Sequence, residues 1–133
     1  MNVDFMSLSY VLVINNDSTN QGAFSAYEFA CELLKQQHTI SQVFFYQGIG
    51  VTNGLVSPAS DEIHVTHLWQ TLSAAHDIPL ISCISASLRR GVVDEMVAKE
   101  QHLPNYNLAT GFTLGGLGEF VTASAQCDRL VQF

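Results

Sequence analysis

A chain of 133 residues, 47% hydrophobic and only 13% charged, fits one domain that buries a core without metal or disulfide staples. Its formal charge of −7 leaves no broad basic footprint, which argues against direct tight binding to a nucleic-acid backbone unless a partner supplies the positive surface, and the sparse charge points to a surface partly covered by partner subunits. Cys31, Cys83 and Cys127 are odd in number, widely spaced and free of any CxxC pair, which argues against a disulfide framework or a zinc site and for a reducing compartment.

The opening MNVDFMSLSY has neither the basic start nor the small-residue cleavage site of a signal peptide, and no apolar run approaches the ~20 residues of a membrane span, so a cytoplasmic protein is expected. Residues 1–8 have no period and read as an N-terminal extension. SYVLVIN then gives a buried strand ending near Asn15. NDSTNQG is dense in turn formers, and Phe24, Tyr27, Cys31 and Leu34 fall at helical spacing, with Asn20 or Ser18 as cap. After His38 and Thr39, SQVFFYQ is a second apolar strand, which completes a βαβ unit.

Gly48 to Glu62 is rich in Gly, Asn, Ser and Pro; at roughly fifteen residues it is longer than most connections and reads as a functional or partner-contacting loop. Val65, Leu68, Trp69, Leu72 and Ala75 mark another helix, leading through His76 and Asp77 to an apolar strand over PLISCI. VVDEMVAKEQ reads as a short helix ending before Pro104, and PNYNLATG as a loop. Leu114, Leu117 and Val121 line a further helix that begins among Gly115, Gly116 and Gly118. CDRLVQF closes the sheet as the last strand.

Cys83 stands out by position. Free cysteine is usually a core residue, but here an apolar strand gives way to a helix, and in open parallel sheets chemistry collects beyond the carboxyl ends of the strands. A thiol there meets backbone N–H groups at the helix start, which favour the nucleophilic thiolate. Cys31, on the inward face of its helix, and Cys127, between helix and strand, read as core or near-core. Arg89 and Arg90 follow Cys83 at i+6 and i+7, where they either lean back toward the sulfur or stay solvated. CISASLR is also the Cys-x5-Arg spacing of phosphate-cradling phosphatases, but the intervening ISASL lacks glycine and Arg90 stands where a Ser or Thr is wanted. Gly48, Gly50 and Gly54 have the wrong spacing for a dinucleotide fingerprint. His64 and His67 could share a helix face with a metal, yet no third ligand is in view.

The strings VFFYQ, SPASDE, LRRGVVDE, GFTLGGLG and CDRLVQF, in this order, resemble the DsrE/TusD family of sulfurtransferase subunits, from about Ser9 to Phe133. The resemblance implies an α/β fold, a single-domain flavodoxin-like three-layer sandwich over 1–133 with a mainly parallel sheet of about five strands. It implies a heterohexamer with TusB-like and TusC-like subunits, a TusA-like sulfur donor and a TusE-like acceptor, in a relay toward 2-thiouridine at the tRNA wobble position. The family's active cysteine maps onto Cys83, and the motif continues through Arg89, Arg90 and Gly91, which makes the two arginines candidates for stabilising a persulfide. No metal or organic cofactor is expected. Sulfur-oxidising relatives use the same cysteine chemistry in another pathway, and a non-catalytic assembly module is the contrasting expectation.

Overall fold

The structure, a computed structural model, describes residues 5–133; of the expected N-terminal extension, residues 1–4 lie outside the described residues. The elements are β1 (Ser9–Ile14), α1 (Gln21–Lys35), β2 (Thr39–Phe45), a 3-10 turn (Ile49–Thr52), α2 (Val65–His76), β3 (Leu80–Cys83), α3 (Ile84–Arg89), α4 (Glu95–Glu100), β4 (Phe112–Gly115), α5 (Leu117–Gln126) and β5 (Arg129–Gln132). All the strand pairings are parallel, in the order β4-β3-β2-β1-β5, so three strands lie on one side of β1 and the last strand on the other. This is the α/β sandwich expected, with helices on both faces.

Partners in parallel register share a face, and side chains alternate along each strand. Leu12, Ile14, Val43, Phe45, Leu80 and Phe112 therefore form one face, which α1 and α2 cover. Phe45 is fully buried there, with its ring edge-on to Trp69 at 5.8 Å and to Phe112 at 5.3 Å. Val11, Val13, Phe44 and Ile81 turn the other way, toward α5, where Phe44 stacks on Phe120 at 4.7 Å. That second face is thinly covered. No residue of α5 is fully buried, Leu117, Val121 and Leu130 are exposed, and a cleft of about 400 Å³ lies between Phe44, Tyr46, Leu117, Phe120 and Leu130.

Three expectations need correction. Leu114 does not belong to a helix with Leu117 and Val121: FTLG pairs with β3 as β4, and α5 begins only after Gly116. The residues of α1 that face the sheet are Ala23, Ala26, Ala30 and Leu33, a stripe one residue round from the one expected; Phe24, Tyr27, Cys31 and Leu34 flank it, half-buried. Small side chains there let α1 sit close to the sheet. Finally, Val92 and Val93 precede their helix, because the Asp94 carboxylate accepts the Val97 N–H at 2.8 Å and so starts α4 at Glu95. Asn20 occupies the N-cap position of α1, though its side chain makes no capping bond.

The edge between β1 and β5 is tied at its start by Asp128, whose carboxylate accepts the Ser9 N–H at 2.8 Å and the Ser9 hydroxyl at 3.1 Å. Those two bonds, the backbone one first, and then the Arg129 charge hold the Asp128 carboxyl below its ordinary value. A depressed carboxylate lends stability that is complete above the ordinary value and fades as pH falls through the depressed one. The stability difference between wild type and Asp128→Asn should therefore shrink as urea midpoints are taken into that acid range. Phe45→Ala, which empties the centre of the aromatic cluster, should cost about 3–5 kcal/mol in the same measurement.

Candidate functional site

The four residues of β3, LISC, are all buried, and the strand is flanked by β2 and β4. Val43, Phe44 and Phe45 pair with Leu80, Ile81 and Ser82; on the other side Cys83 pairs with Gly115. Cys83 is at once the last residue of β3 and the N-cap of α3, as the sequence led us to expect. Alternation sends Ser82 to the α1/α2 face and Cys83, with Ile81, to the α5 face.

The depth of the thiol differs from expectation. Cys83 is 1% exposed, buried within the core cluster rather than open at the sheet mouth. Its neighbour Gly115 explains part of this. A Cβ at Gly115 would stand 2.5 Å from Ile81 Cγ2 and 3.0 Å from Glu119 Oε2, so the first turn of α5 comes down onto the strand end beside the cysteine. The strand-to-helix junction is thus present, and a covering lies over it.

The two arginines part company with the sulfur in this conformation. Arg90 folds back to donate to the Ala86 carbonyl at 3.2 Å and lines a cavity of about 330 Å³ with Asp17, Ser18, Gly50 and Asn53, in whose wall Cys83 has no share. Arg89 is exposed at the end of α3. The residues ISASLR wind into α3 instead of forming a loop of inward-turned N–H groups, which is the geometry a phosphate cradle needs.

The other thiols have local partners. The Cys31 side chain beside Tyr27, and then burial, raise the Tyr27 hydroxyl above its ordinary value. The Cys127 thiol lies 3.3 Å from the Ser124 carbonyl and 3.2 Å from that of Arg129. His64 and His67 stack ring on ring at 3.5 Å, and His64 Nδ1 accepts the His67 N–H at 3.4 Å as the cap of α2. Among the described residues, no group of three His, Cys, Asp or Glu is placed to hold a metal ion.

Sequence reading passed over the groups that surround Cys83 in space. Ser82 and Ser87 drew no notice in the sequence, but both are fully buried and bonded to each other at 2.7 Å, with Thr52 next in line. A serine next to a candidate cysteine inside an apolar strand, with a second serine four residues beyond that cysteine, was the available signal.

Comparison with known proteins adds four findings. The DsrE/DsrF-like family matches residues 9–133. The chain is 50% identical over 131 residues to a protein of Proteus mirabilis named sulfurtransferase TusD, covering 96% of this chain and 100% of the relative. It is 45% identical to a sulfurtransferase TusD homolog of Haemophilus influenzae, with 93% and 98% covered. Among solved structures, the ychN protein from E. coli superposes with a TM-score of 0.71 at 17% identity, over 96% of this chain and 100% of that one, a likeness of fold.

Gly115→Ala tests the packing beside the cysteine. The new methyl group has Ile81 and Glu119 in its way, so a loss of about 1–3 kcal/mol in urea unfolding is expected, while the same change at Gly118, where a Cβ meets open space, should cost far less.

Proposed function

The chain belongs to the DsrE/DsrF-like family, and on that premise we propose that it is a sulfurtransferase subunit carrying persulfide sulfur on Cys83. The observation that carries this reading is near full-length identity, 45–50%, with proteins named sulfurtransferase TusD, in a chain with one cysteine at the carboxyl end of a central strand. The Cys83 thiolate attacks the terminal sulfur of a donor persulfide; the donor's S–S bond breaks, the donor leaves as a thiolate, and the new S–S bond is on Cys83. The proton lost by Cys83 ends on the departing thiol, and no oxidant or reductant is consumed. The second half repeats the exchange with the acceptor's cysteine.

The finer reading follows the family resemblance. One sulfurtransferase domain over 1–133, its residues 1–8 a short extension, takes sulfur from a TusA-like donor and yields it toward a TusE-like acceptor, serving 2-thiouridine in tRNA. TusB-like and TusC-like subunits would complete a heterohexamer; the thinly covered α5 face, with Leu117, Val121 and Leu130 exposed around an apolar cleft, supports the need for such partners. A cytoplasmic setting is supported by three free cysteines and by the finding that, among the described residues, no helix is long and apolar enough to cross a membrane. Arg89 and Arg90, at the end of α3 in an acidic chain, are turned from the sulfur here and would meet an incoming anionic sulfur once α3 moves.

Burial of Cys83 favours one competing reading, an assembly module whose cysteine is incidental. Cys83→Ser separates the two. Incubated with a persulfide donor, the wild type should gain the mass of one sulfur atom and the variant none, with the complex still assembling; loading that persists in the variant ends the proposal. In cells, thiolated tRNA should disappear with Cys83→Ser; if it persists, the scaffold reading wins.

A further inference from the structure

We propose that Thr52, Ser82 and Ser87 are positioning residues for Cys83: a one-way chain of buried hydroxyl hydrogen bonds that clamps α3 onto β3 and so holds Cys83, the residue that joins them, in its covered place. The inference rests on the reading of Cys83 as the working cysteine.

The direction of the chain follows from its last member. The Ile49 carbonyl can only accept, and Thr52 Oγ1 lies 2.8 Å from it, so Thr52 donates there. Thr52 has no second proton and must accept from Ser82 Oγ, 3.1 Å away. Ser82 has then spent its proton as well, which settles the 2.7 Å contact between Ser82 and Ser87: Ser87 donates. Three hydroxyl groups, each from a residue no more than 0% exposed, are satisfied in one order only, from α3 through β3 to the 3-10 turn.

These contacts are concentrated where the cysteine is. The buried polar residues among the described ones are Thr52, Thr66, Ser82 and Ser87, and the fourth, Thr66, fastens the same 3-10 turn to α2 through the Val51 carbonyl at 2.6 Å. Apolar side chains at these places would avoid the desolvation that buried hydroxyls incur. What hydroxyls add is direction: apolar packing lets a short helix rock, whereas a bond to a fixed acceptor does not. Helix α3 has little else to hold it. It is six residues long, its buried residues are Ala86 and Ser87, and Ile84, Ser85 and Leu88 are exposed.

Cys83 is the residue that joins Ser82 to this helix, its side chain on the other sheet face beside Gly115 and the first turn of α5, so a shift of α3 away from the strand carries the cysteine out of that cover, and the bond from Ser87 is what the shift must break. Ser87→Ala is the clean cut. It removes the first donor and leaves no orphan, because Ser82 still donates to Thr52 and Thr52 to Ile49. Ser82→Ala cuts the same link from the strand side and strands the Ser87 proton.

The test is the alkylation rate of Cys83 by iodoacetamide in the purified full chain, followed by peptide mass spectrometry across low urea concentrations. Loss of one buried hydrogen bond should speed labelling by about threefold to tenfold in Ser87→Ala. The rate should be nearly flat in urea, the mark of local opening, and the global urea midpoint should fall by no more than the same lost bond accounts for. An unchanged rate overturns the proposal, as does an acceleration with the steep urea dependence of global unfolding. If Ser87→Ala does not fold, Ser82→Ala is read by the same criteria. Because alkylation reports access and not cargo, failure of the clamp is distinguishable from failure of the sulfur-carrier reading, which the loading experiment on Cys83→Ser decides.

Discussion

The two-residue alternation at the end of β3 governs the site. Pairing with β2 on one side and β4 on the other fixes the strand's register, and with it the side to which each side chain points. Ser82 goes to the face shared with α2 and the 3-10 turn, where it finds hydroxyl partners. Cys83 goes to the face of α5, beside a glycine that admits no side chain. A slip of one residue would bury the thiol among aromatic rings and put a serine in its place.

That register is secured by packing on the α1/α2 face. Trp69, Phe45 and Phe112 meet edge to face over the middle of the sheet, and the alanines of α1 allow close approach of the helix beside them. The opposite face is assembled on other terms. There α5 contributes Phe120 to the Phe44 ring and leaves much of its apolar surface in water. One side of the sheet is a finished core, and the other is finished only when something else covers it.

Much of this was legible in the residues. The apolar runs of β1, β2 and β3 are dense enough to declare themselves, and the place of Cys83 at a strand-to-helix junction follows from where its run stops. β4 was not legible, because four residues between glycines carry too little pattern, and Leu114, Leu117 and Val121 happen to mimic a helical stripe across its boundary. The inward face of α1 was misjudged because alanine is quiet beside Phe24 and Tyr27, though it is the alanines that touch the sheet. The depth of Cys83 depends on Gly115 and Glu119, more than thirty residues later, and the hydroxyl chain joins Thr52 to Ser82 across a helix. Local spacing holds no record of such meetings.

On the proposed role of Cys83, its seclusion has a consequence for the cargo as well as for the carrier. Sulfane sulfur is short-lived in the presence of small thiols, which strip it away, and of oxidants, which convert it to acids. A pocket that admits a reagent only during brief excursions slows both fates in proportion to the time spent shut. The feature that makes the cysteine hard to reach is thus the one that would let a delivered sulfur atom wait for its recipient.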